Sequence, residues 1–171
     1  MESAFLVAFG ASLLLAGGLY LIGFTRPGLE LSLIHASRRG ATVSPGAKAN
    51  PHLVPREARG EYEQRVHGGK LYILQGKVTN TGKNHRGWIL VAAALLDNNG
   101  KVVAEQAVHA GNVLSIDTVR NIDPDTVFNV LRTGGNERRS LRSGTSIPFM
   151  VVFFDPPEKI DSFQVSCFDA D

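Results

Sequence analysis

The chain has 171 residues, 43% of them apolar and 20% charged, with 18 glycines and 8 prolines. That length holds one domain plus accessory segments and leaves no room for a second full core. A net charge of +2 with scattered Lys and Arg excludes a nucleic-acid footprint, and the single cysteine, Cys167, excludes an internal disulfide or a CxxC metal or redox pair.

The first element is an uncharged run from Ala4 to Phe24, long enough at 1.5 Å per residue to cross a bilayer. It is expected to be a single transmembrane helix, with residues 1–25 as the anchor. A cleavable signal peptide is disfavoured, because there is no basic leader and no small-x-small site before Arg26-Pro27. Ala4, Ala8, Ser12 and Ala16 recur every four residues and form a stripe where another membrane helix can pack closely. Arg26, Arg38 and Arg39 follow the run, so the positive-inside rule places the rest of the chain in the cytoplasm.

Residues 26–62 contain four prolines and many small polar residues, which suggests an extended tether. Within it, Leu29-Glu30-Leu31-Ser32-Leu33 alternates apolar with polar, as a short strand or docking segment does. From residue 63 onward the pattern becomes that of an antiparallel β-domain. Leu71 to Asn80 reads as one strand, and Trp88 to Leu96 as a central strand, apolar on both faces. Asp97-Asn98-Asn99-Gly100 closes a hairpin onto a strand from Lys101 to Val108. A helical interruption follows between Ser115 and Arg132. There Asp123 caps a helix that starts at Pro124 and places Val127, Val130 and Leu131 on one face. Ile147 to Phe154 is again apolar on both faces, and Phe163 to Phe168 turns Phe163, Val165 and Cys167 one way. The expected fold is mainly β, an immunoglobulin-like antiparallel sandwich with one or two short helices.

The chemistry-bearing residues do not assemble into a reaction centre. His35, His52, His67, His85 and His109 show no HExxH or CxxCH spacing, and no nucleophile elbow, phosphate loop or dinucleotide fingerprint occurs. Asp97 and Asp155 each sit at a turn, which accounts for both. One basic cluster, with Arg138, Arg139 and Arg142, is a candidate partner surface on an otherwise ordinary solvated loop. No catalytic, cofactor-binding or metal residue is expected, and the protein is read as a non-enzyme.

Several elements recur in a recognisable order. They are Gly76-Lys77-Val78-Thr79-Asn80, Asp97-Asn98-Asn99-Gly100, Gly111-Asn112-Val113-Leu114, the run from Ser143 to Phe153, Pro156-Pro157 and the closing Phe163 strand. Together they make residues 60 to 170 similar to the bacterial domain of unknown function 3426 family. The resemblance implies one membrane helix followed by a β-domain on the periplasmic side of the inner membrane, against the charge rule. It implies no reaction. Members commonly carry an N-terminal zinc ribbon; only three residues precede the apolar run here, so no zinc role is expected. The expected function is that of an accessory or scaffold subunit of a bacterial inner-membrane assembly. It would meet other integral membrane subunits and the lipid bilayer through its helix, and partners through its sandwich. The alternative is a periplasmic sensor or carrier domain for a small molecule or glycan.

Overall fold

A computed structural model of the protein describes residues 47–133 and 140–170. Six strands and two helices follow one another as β1 (Leu53–Gln64), β2 (Lys70–Asn80), β3 (Trp88–Leu96), β4 (Val102–His109), α1 (Ile116–Asn121), α2 (Pro124–Thr133), β5 (Ser146–Phe154) and β6 (Ser162–Ala170). The strands form two antiparallel three-stranded sheets, β1-β2-β5 and β4-β3-β6, which make a β-sandwich.

Local chemistry explains most boundaries. Between β3 and β4, the Asp97 carboxylate accepts from the amides of Asn99 and Lys101, both at 2.9 Å, and Gly100 takes φ +74°. The helical interruption divides in two. Ser115 caps α1 by accepting from the Thr118 amide, and Asp123 caps α2 by accepting from the Thr126 amide at 2.9 Å. Pro124 can only open a helix, so α1 ends before it.

The core lies between the sheets. β3 turns Ile89, Val91, Ala93 and Leu95 into it and β6 turns in Cys167, all of them buried in one cluster with Leu74, Val78, Phe149 and Val151. Cys167 is 2% exposed, and burial pushes its thiol up to about 12, so it is a protonated core side chain at neutral pH. β5 is covered on both sides. The core packs on one side. On the other, Phe128 of α2 meets Phe154 edge-on at 5.1 Å, with Val127 and Leu131 buried beneath the helix.

Two expectations are corrected. The expected tether runs through residue 62, but Leu53 to Tyr62 belongs to β1, a full strand paired along β2. Its sequence, LVPREARGEYEQ, has few β-formers because it is a sheet edge with charged residues on its solvent side. Val130 does not share the buried stripe of α2 and remains 39% exposed, while Phe128 contributes to packing. The line of closest contact runs through Val127 and Leu131, four residues apart, and Val130 falls beside it.

Candidate functional site

The register of β1 on β2 builds the site. Arg59 lies opposite Gln75, Glu61 opposite Ile73 and Glu63 opposite Leu71, so the outward side chains of β1 and β2 share the face that carries Met150 and Pro148 on β5. Helix α2 covers the end of this face at Phe154, and Arg120 of α1 donates to the Gln64 carbonyl at the end of β1 at 2.9 Å. Beyond it, Val113 and Leu114 from the segment joining β4 to α1, with Ile116 at the start of α1, make a second wall. Between this wall and β1 runs a groove of about 460 Å³, floored by Ile73, Pro148 and Met150.

One wall is charged. Glu57, Arg59, Glu61 and Glu63 line it from β1, with Lys77 and Gln75 from β2. Lys77 Nζ donates to Glu57 Oε2 at 2.8 Å, and this bond together with the lysine charge holds the Glu57 carboxyl below its ordinary value. Glu57 occupies φ +53° at a bulge where β1 carries one residue more than β2 between Arg56 and Arg59. The bulge twists the edge strand and turns its carboxylate towards Lys77. No group of three or more metal-ligating side chains comes together among the described residues. The arrangement offers backbone edge, alternating charges and an apolar floor, which is chemistry for binding.

The residues singled out from the sequence lie elsewhere. Ala4, Ala8, Ser12, Ala16, Arg138 and Arg139 fall outside the described residues. Among the described residues no helix is long and apolar enough to cross a membrane. Arg142 is exposed, and its carbonyl accepts from Thr145 Oγ1 at 2.8 Å; it does not line the groove. Asp97 closes its hairpin, and Asp155 (φ +46°) ends β5. The groove itself went unread, although Glu57, Arg59, Glu61 and Glu63 alternate in the sequence as one side of a strand does.

Among the described histidines, His109 has the most distinctive setting. Its ring meets Trp88 edge-on at 4.8 Å, its Nδ1 is buried without a hydrogen-bond partner, and burial lowers its pKa from 6.5. The neutral ring is therefore favoured in the folded state. Its contribution to stability is complete above the unfolded value of 6.5 and is lost as pH falls towards the lower folded value. Glu105, raised by burial, acts in the opposite sense at lower pH. The thermal midpoint of the wild type is expected to drop more steeply on acidification through pH 6.5 than that of His109→Gln. Parallel midpoint curves would remove His109 from this role.

The fold and the groove define a small two-sheet β-sandwich with a helical insertion and a groove beside an edge strand. The sequence profile of DUF3426, described as a protein of unknown function, matches residues 58–167, and the chain belongs to that family. No curated protein and no solved structure matches it.

Proposed function

We propose that this protein is a non-catalytic, single-pass accessory or scaffold subunit of a bacterial inner-membrane assembly. In this reading Ala4 to Phe24 is the membrane helix and the domain is an immunoglobulin-like sandwich on the periplasmic side. The observation that carries the reading is the groove along β1. An edge strand beside an apolar floor, with Glu61 and Glu63 on its wall, suits an extended partner segment carrying basic side chains. A membrane helix would concentrate the groove near its partners. The second reading, a periplasmic sensor or carrier of a small molecule or glycan, draws on the groove's volume, which falls within the range of ligand sites.

Full-length protein purified in mild detergent, with quantitative mass spectrometry of what accompanies it, tests this. The pair Glu61→Lys and Glu63→Lys should lower recovery of a specific partner several-fold while the sandwich stays folded. Ala8→Leu with Ser12→Leu should do the same through the helix without loss of membrane localisation. Wild-type recovery in both variants would sink the subunit reading. A ligand that raises the thermal midpoint of the wild type, and not of the Glu61/Glu63 variant, would replace it with the sensor reading.

A further inference from the structure

The two sheets differ in what covers their outer sides. On β1-β2-β5, the helices and the groove wall do so. On β4-β3-β6, the strand register puts Leu90, Ala92 and Ala94 of β3 on the side away from the core, beside Phe168 of β6 and Ala107 of β4. Leu90 and Phe168 form a cluster separate from the main core, joined among the described residues by Ala92, Ala107 and Ala170. Among the described residues, no helix and no strand of the other sheet contributes to that cluster. Yet Leu90 is 5% exposed, Phe168 4% and Ala94 3%. Alanines on a sheet surface screen little of a neighbouring Leu or Phe, so burial this deep calls for a layer on top. His109 stands on the same side, opposite Leu90, and its partnerless buried Nδ1 fits a face removed from solvent.

The chain itself reaches the edge of this sheet. The Asn50 amide donates to the Cys167 carbonyl at 2.8 Å, and Asn50 Nδ2 donates to Asp169 Oδ2 at 2.6 Å, so the described chain begins fastened to β6, next to Phe168. Ala47, Lys48 and Ala49 are exposed and supply no cover. Upstream, Leu29-Glu30-Leu31-Ser32-Leu33 puts three leucines on one side of an extended chain and two polar residues on the other, the pattern of a layer with one dry and one wet face. The 16 residues between Leu33 and Asn50 span up to about 50 Å, ample for a return across the sheet.

We propose that the outer face of β4-β3-β6 is the seat of the chain's own N-terminal arm, with Leu29, Leu31 and Leu33 laid over Leu90 and Phe168. This holds whether or not the groove binds a partner. Its consequence is that the arm is a docked layer, so the sandwich has a set orientation relative to the residues before Leu29.

Full-length protein in lipid nanodiscs tests the proposal, using Trp88, the sole tryptophan, at the rim of this face. In the wild type, the amides of Leu29 to Leu33 should exchange at least about tenfold more slowly than in a synthetic peptide of that sequence. Leu29→Asp with Leu31→Asp and Leu33→Asp should shift Trp88 emission to the red and increase its quenching by acrylamide. Ala92→Glu, on the sheet side, should return the arm to peptide-like exchange. Peptide-like exchange in the wild type would overturn the proposal, and that measurement stands even where a variant fails to fold. Unchanged Trp88 quenching in a folded triple variant would also overturn it. Quenching of wild-type Trp88 by brominated lipid would assign the face to the bilayer instead, and protection that vanishes on dilution would assign it to a second copy.

Discussion

Replacing Asn80 with alanine is expected to destabilise the sandwich by about 3–4 kcal/mol, because three buried or part-buried hydrogen bonds are lost at once and their backbone partners stay behind. Asn80 is the one buried polar or charged side chain among the described residues, with 0% exposure. Its Nδ2 donates to the Asn84 carbonyl at 2.8 Å and to the Leu141 carbonyl at 3.0 Å, while its Oδ1 accepts from the Gly82 amide at 3.0 Å. Its backbone is engaged as well, with its amide on the Thr145 carbonyl and its carbonyl on the Gly144 amide. One side chain therefore joins the end of β2, the loop into β3 and the approach to β5. Alanine fills less space and satisfies none of these groups. Aspartate keeps an acceptor for Gly82 and turns two donations into repulsions, so Asn80→Asp should be as damaging near neutral pH. Urea unfolding with the slope held fixed measures both. A loss under about 1 kcal/mol for Asn80→Ala would show that water replaces the side chain without strain.

The second large effect couples two residues in the core. Phe149 is 1% exposed, and its ring edge lies where a Cβ on Gly76 would be, 2.8 Å from both Cε1 and Cζ. The Arg56 carbonyl oxygen would stand 3.0 Å from the same Cβ. Phe149→Ala should cost about 3–5 kcal/mol through lost burial and the cavity left behind. Gly76→Ala should cost about 1–3 kcal/mol by overpacking a ring that has nowhere to move. With the ring gone, the added methyl occupies part of the vacated space, so Gly76→Ala in the Phe149→Ala background should cost far less than alone. The interaction energy from the double-mutant cycle is expected to exceed about 1 kcal/mol. Additive effects would mean that the backbone contact with Arg56, and not the ring, sets the cost.

Where a feature depends on neighbours in the chain, the residues alone carried it. Asp97 to Gly100 closes its turn with bonds spanning four residues or fewer, and Asp123-Pro124 starts a helix in any surroundings that tolerate one. The alternation that buries Cys167 follows from the two-residue period of a strand. The two-faced strands β3 and β5 announced that something covers both their sides, without saying what. Tertiary structure decided that β1 is a strand at all, since its charged, glycine-containing sequence has weak β preference and gains its ladder from β2. It also decided that α2 lies over Phe154 while a second apolar face forms around Leu90 and Phe168. The groove belongs to this second kind. Its walls come from β1 and from the segment after β4, some 50 residues apart, and charges on separate segments become a site only when the sheet brings them within reach.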